Sequence, residues 1–174
     1  MRPDCKKKRV AMNKSPEPSY GLIDSRSVKT AFAAQNRGYD GGKKVKGRKQ
    51  HIVTDTQSHI LKVKVHAANI HDGIAGGDVV RGAMAKYPSL KGICGDAAYR
   101  KTFEEEMEAI GLTVEIVERI QGAGWMVLPK RWRVERAFGW MGGSRRLSKD
   151  YEILSCTVEN MVYISHAATL LKYL

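Results

Sequence analysis

The 174-residue chain is 43% hydrophobic and 28% charged. That composition suits one globular domain with a real core and excludes disordered, collagen-like and disulfide-stapled chains. Thirty Lys and Arg against 18 Asp and Glu give a formal net charge of +12. No run approaches the ~18 apolar residues of a spanning helix, and no apolar segment follows the basic start to make a signal peptide. Three cysteines without C-x-x-C spacing argue against a disulfide framework or a zinc site, so the chain reads as cytoplasmic, with reduced thiols and no membrane partner.

The positive charge is concentrated. Residues 1–50 hold fourteen Lys and Arg against four acids, residues 130–150 hold seven against two, and the remainder is slightly acidic. Clustered basic charge of this kind is the footprint of a polyanion, most often nucleic acid, with a solubilising surface as the plainer alternative.

Residues 1–19 are basic, contain Pro16 and Pro18 and lack a hydrophobic period, so they read as a flexible N-terminal segment. Gly21 to Asp24 predicts a short buried strand ending in a carboxylate. Residues 35–50 are glycine-rich and basic, a loop or hairpin tip in which Lys46, Arg48 and Lys49 suit phosphate contacts. His51–Asp55 and Ile60–His66, the latter alternating apolar and polar, predict an antiparallel hairpin. Asp72 is placed to cap a helix carrying Val80, Ala83, Met84 and Tyr87, with Pro88 just beyond. A short strand at Gly92–Gly95 runs into Asp96.

Thr102 and Glu105 form a capping-box pattern for a helix with Phe103, Met107 and Ile110, stopped by Gly111. Thr113–Glu118 predicts a strand and Trp125–Leu128 a further one. A helix from Arg131 carries the stripe Val134, Ala137, Phe138 and Met141, and a final helix covers about Val158 to Leu171. Between these two lies a second basic cluster, Arg145, Arg146 and Lys149. Trp125, Trp132, Phe138 and Trp140 read as packing residues, and Asp40 and Asp55 as turn residues. The element order is mixed α/β.

Three carboxylates stand at positions from which they can converge. Asp24 and Asp96 each follow a short apolar run, where α/β sheets present ligands, and Glu135 sits in the first turns of a basic helix. Position alone leaves Asp24 and Asp96 equally readable as turn caps, and Glu135 as an ion-paired helix residue.

Five blocks in order, GLIDSRSVKT, RGYDGGKKVKGRKQHIVTDT, the strand with HAANIHD, GDAAY, and LPKRWRVERAFGW followed by RRLSKDYE, resemble bacterial insertion-sequence transposases of the DDE class, in the insertion sequence five group. The resemblance runs from about Pro18 to the C-terminus. It implies an α/β, ribonuclease H-like mixed sheet flanked by helices, forming a catalytic domain over residues 20–174. It also implies that Asp24, Asp96 and Glu135 are the catalytic acids and metal ligands, holding two Mg2+ ions, with Mn2+ as a substitute. Arg131, four residues before Glu135, is then placed to orient that carboxylate or to hold a scissile phosphate.

The implied activity is metal-dependent cleavage and strand transfer at the element's DNA ends. Double-stranded DNA is the implied partner, with a homo-oligomer formed on it. Ala98 and Arg133 depart from the family pattern. Family members carry an N-terminal region that binds the terminal repeats. Barely twenty residues precede Asp24, so the expectation is either a downstream reading-frame product that acts with an upstream one, or an inactive remnant that only binds DNA. A plain nuclease of the same fold is a third reading.

Overall fold

The structure is a computed structural model that describes residues 3–117 and 131–172. Helix α1 (Pro3–Ala11) leads into strand β1 (Tyr20–Lys29), the short β2 (Gly38–Asp40), β3 (Val45–Asp55) and β4 (Ile60–Ala67). Helix α2 (Asp72–Lys86), β5 (Gly92–Asp96), a 3-10 turn (Ala97–Tyr99), α3 (Thr102–Ala109) and β6 (Thr113–Val117) follow. Helix α4 (Trp132–Gly142), a second 3-10 turn (Arg145–Leu147) and α5 (Ser155–Lys172) complete the described chain.

The sheet runs β2-β3-β1-β5-β6, with β4 also paired to β3. Strand β3 is antiparallel to both β1 and β4, while β5 is parallel to β1 and to β6. Alternation along the strands divides the apolar residues between two faces. Ile23, Val53, Leu61 and Ile93 pack under α2 and α3, with Val79, Val80, Phe103 and Met107. Leu22, Ile52, Val63 and Val65 pack under α4 and α5, with Val134, Ala137, Met141, Val158 and Val162. The mixed α/β expectation holds, as do the hairpin and the stripe of α4; of the α3 stripe Phe103 and Met107 are buried, while Ile110 lies past the helix end and is exposed.

Several local expectations are corrected. The lead-in forms α1, and what anchors it is an ion pair: Arg9, only 4% exposed, places Nη1 2.6 Å from Asp55 Oδ2. Strand β1 does not stop at Asp24 but continues to Lys29, because Ser25–Lys29 pair with Gly47–His51 of β3. The basic stretch ahead of His51 is not all loop. Its second half is the start of β3, and the hairpin tip shrinks to the residues between β2 and β3. His71, not Asp72, caps α2, its Nδ1 accepting from Gly73 N at 3.2 Å. In α3 the box shifts by one residue, with Lys101 N donating to Glu104 Oε2 at 2.6 Å. The expected strand Trp125–Leu128 lies outside the described residues.

Candidate active site

Strand register brings the first two acids together. β1 and β5 are hydrogen-bonded in parallel over Tyr20–Leu22 and Gly92–Cys94, with Leu22 opposite Cys94. Asp24 and Asp96 therefore each stand two residues beyond the last paired position, on the same face of their strands. That face is the one on which Leu22 meets α4. Asp24 consequently points toward the helix that carries Glu135.

Helix α4 is held there by two arginines that dock on the β3–β4 turn. Arg136 donates from Nη2 to Gln57 O and from Nε to Ser58 Oγ, both at 3.0 Å, and Arg133 donates to Thr56 O. The Arg136 guanidinium also lies 4.4 Å from the ring centre of Trp132 and 4.9 Å from that of Trp140. The two tryptophans thus pack on a cation, in keeping with a packing role. Toward the other end Arg26 of β1 donates to Phe138 O of α4 at 3.4 Å and to Leu147 O of the following 3-10 turn at 3.1 Å. Arg133, a departure from the family pattern, is an anchor of the helix.

The three acids meet on one side chain. Arg131 Nη2 lies 3.8 Å from Asp24 Oδ2, 3.6 Å from Asp96 Oδ2 and 3.7 Å from Glu135 Oε1. Asp24 is the most enclosed of the three, 18% exposed at its side chain, and Glu135 the least, at 56%. Asp24 Oδ1 accepts from Ser25 N at 2.7 Å, and Asp96 Oδ1 from Ala98 N at 2.9 Å. Burial pushes the Asp24 carboxyl up to about 6, against the lowering effect of the Ser25 amide and Arg131. Among the described residues, no three His, Cys, Asp or Glu groups are close enough to one another to hold a metal ion as they stand. The carboxylates converge on the guanidinium and not on each other.

Hard oxygen donors around a single focus fit a hard divalent cation in chemistry. A buried carboxyl whose ionisation is opposed by its surroundings, held beside a cationic group, is a further mark of a site made for positive charge.

The other expected site residues divide. Lys46, Arg145, Arg146 and Lys149 are exposed, Arg146 pairing with Glu152 at 3.3 Å. Arg48 and Lys49 are not available to a phosphate. Arg48 is fully buried, paired with Asp150 at 3.0 Å and donating to the carbonyls of Gln35, Glu152 and Ile153. Lys49 is buried against Asp72 Oδ1 at 2.9 Å and Ile70 O at 2.8 Å. Asp40 and Asp55 serve turns, as expected.

One residue was missed from the sequence. Lys43, exposed at the β2–β3 tip, reaches back to Ser25 O at 3.3 Å and lowers the Asp24 carboxyl. The signal was the Gly41-Gly42 tip between Tyr39 and Val45, which closes a hairpin and returns the lysine to β1.

The family model described as transposase DDE domain matches residues 15–170. The chain belongs to that family. This transposase domain is an enzyme of the DDE phosphoryl-transfer class. Its fold resembles the catalytic core domain of BIV integrase, with a TM-score of 0.51 and 12% identity over 86% of this chain and 82% of that one. The sheet and its flanking helices are accordingly ribonuclease H-like. Weaker likenesses are to the HTLV-2 integrase catalytic core domain in complex with magnesium (TM-score 0.46, 18% identity, 73% of this chain and 69% of that one) and to a Drosophila P element transposase strand transfer complex (TM-score 0.31, 13% identity, 57% and 26%). No curated protein matches the sequence. Among the described residues, no helix of the transposase domain is long and apolar enough to cross a membrane.

Proposed function

We propose that Asp24, Asp96 and Glu135 are the catalytic acids of a bacterial insertion-sequence transposase of the insertion sequence five group, in a catalytic domain spanning residues 20–174. The observation that carries this reading is the convergence of all three on Arg131 Nη2, from β1, from the end of β5 and from α4. The presence of all three acids, each directed to the same point, supports the enzyme over an inactive DNA-binding remnant.

The trio would hold two Mg2+ ions, with Mn2+ as a substitute. Such ions, when bound, activate the attacking oxygen and stabilise the leaving one in phosphoryl transfer. The chain's own part is to fix the ligands and to place the phosphate. Ser25 N and Ala98 N orient the two aspartates, leaving one oxygen of each turned to the centre. Glu135, on a helix face with room to move, supplies the third carboxylate. Arg131 is placed to transfer its charge from the carboxylates to a scissile phosphate, and Lys43 to hold the neighbouring backbone. Lys46, Arg145, Arg146 and Lys149 extend the interface along double-stranded DNA. A homo-oligomer on DNA and an upstream reading-frame product complete the proposed assembly.

The test is nicking and joining of a labelled element-end DNA in Mg2+, by this chain and by its fusion to the upstream frame, each beside its Asp96→Asn variant. Cleavage by the parent with none by the variant, at equal DNA binding, is expected. Equal cleavage by both would overturn the assignment of the acids.

A further inference from the structure

Tyr99 closes the 3-10 turn that begins one residue after Asp96, and its ring is packed closely on several sides. The ring lies edge-on to Phe103, with centroids 5.1 Å apart, inside the core under α2 and α3. A Cβ on Gly76 of α2 would stand 2.9 Å from the ring, and one on Gly95 of β5 would stand 2.8 Å from it. Glycine at both positions leaves the tyrosine its seat.

The hydroxyl is the start of a chain of hydrogen bonds. It lies 2.6 Å from His51 Nε2; His51 Nδ1 lies 3.2 Å from His66 Nε2; and His66 Nδ1 lies 3.0 Å from Ala67 O. A carbonyl oxygen only accepts, so His66 Nδ1 carries the proton and donates. In a neutral ring Nε2 then accepts, His51 Nδ1 donates to it, and His51 Nε2 accepts in turn. The Tyr99 hydroxyl is therefore a donor, and the last acceptor fixes every direction before it. Burial pushes both histidines below their ordinary range, which keeps the two rings neutral.

This chain of bonds lies where the β1–β5 ladder ends, while on its other edge β5 stays paired to β6 as far as Asp96 and Val117. β1 and β5 share no pairing beyond Leu22 and Cys94, so nothing in the ladder between them sets the distance from Asp24 to Asp96. The Asp96 backbone is carried by β6, its carboxylate is oriented by the turn through Ala98 N, and Tyr99 is the residue of that turn seated in the core. His51 is the β3 partner of Ser25, the neighbour of Asp24. We propose that Tyr99 is a positioning residue for Asp96, its hydroxyl held through His51 and His66 so that β3 and β4 brace the turn carrying the second acid.

The inference rests on Asp96 being a metal ligand, and the experiment separates the two. The full chain and its Tyr99→Phe, His66→Ala, His66→Gln and Asp96→Asn variants are titrated with Mn2+ alone, the free ion being followed by electron paramagnetic resonance. DNA affinity and Mg2+-dependent nicking are measured on the same samples. Tyr99→Phe keeps the ring and its cooperative unfolding and binds DNA like the parent, but its Mn2+ affinity and nicking rate fall several-fold, up to the roughly tenfold that losing a hydrogen bond made directly to a ligand costs, because the hydroxyl acts on Asp96 through the turn. His66→Ala shares the defect. His66→Gln restores most of it, because the amide oxygen accepts where Nε2 did.

Parental Mn2+ affinity in Tyr99→Phe, with Asp96→Asn impaired, overturns the positioning role. Parental affinity in Asp96→Asn overturns the assignment of the acids beneath it. Should Tyr99→Phe not fold, the contrast between the two His66 variants decides the same question.

Discussion

Arg131 Nη2 stands 3.6 Å from Asp96 Oδ2, inside ion-pair range but longer than a hydrogen bond, and it holds the same relation to Asp24 and Glu135. A cation so placed neutralises the acids without being locked to any of them. In Arg131→Ala the three carboxylates lose their counter-charge. Mn2+ is then expected to bind the DNA-free protein several-fold more tightly than it binds the parent, while DNA cleavage falls. Unchanged Mn2+ affinity in a direct titration would show that the guanidinium does not stand in a cation's place.

Asp24 makes the metal-free fold pH-dependent. Its carboxyl rises from an ordinary 3.8 to about 6 on burial. A raised value means that the folded state is favoured with the proton on. This contribution is fully present below about pH 4 and is lost as the pH climbs through about 6. Asp24→Asn is therefore expected to be more stable than the parent at pH 8 in chelator, by up to about 3 kcal/mol, and to lose that advantage by pH 4. Chemical unfolding at the two pH values measures it. An advantage that persists at pH 4 would remove the titration as its cause.

Arg48 is expected to matter for folding and not for DNA. Removing one partner of its buried pair with Asp150 leaves an uncompensated charge, at a cost of about 3–5 kcal/mol. Arg48→Met should show that loss in urea unfolding. The double variant Arg48→Met, Asp150→Leu should recover much of it, because it removes both charges. A near-parental Arg48→Met would contradict the anchor role.

The exposed cations should be read out by salt. A side chain that neutralises one phosphate contributes about 0.9 to the slope of log affinity against log salt on duplex DNA. Alanine at Lys46, Arg145, Arg146 or Lys149 is expected to flatten the slope by roughly that amount. Alanine at Lys62, away from the proposed path on β4, should leave it unchanged. Identical slopes for all five variants would place the DNA elsewhere.

Apolar alternation was enough to find the β3–β4 hairpin, the stripe of α4, Phe103 and Met107 of α3, and the run that ends at Asp96. It failed where polar residues form the interior. Residues 48–51 of β3, Arg-Lys-Gln-His, are all buried, yet they show no apolar period, because their partners lie elsewhere in the chain: Asp150 for Arg48, Arg26 for Gln50 and Tyr99 for His51. Helix α1 escaped for the same reason, its anchor being the Arg9–Asp55 pair. Of the site, the acids and Arg131 were reached through family resemblance. Their meeting at one nitrogen depends on the Leu22–Cys94 register and on the seating of α4, neither of which local sequence encodes.

The β3–β4 turn has two tenants. Asp55 folds it by accepting from the amides of Gln57 and His59, both at 2.8 Å. Burial alone would raise this carboxyl, but His59 and these amides hold it below its ordinary range. One side of the turn receives Arg9 from α1; the other receives Arg133 and Arg136, the immediate neighbours of the segment bearing Glu135. Any polypeptide joined ahead of Pro3 is thereby hitched to the same fixture that seats Glu135. Tension or rotation applied at the front of the chain has a short mechanical route to the helix that carries Glu135.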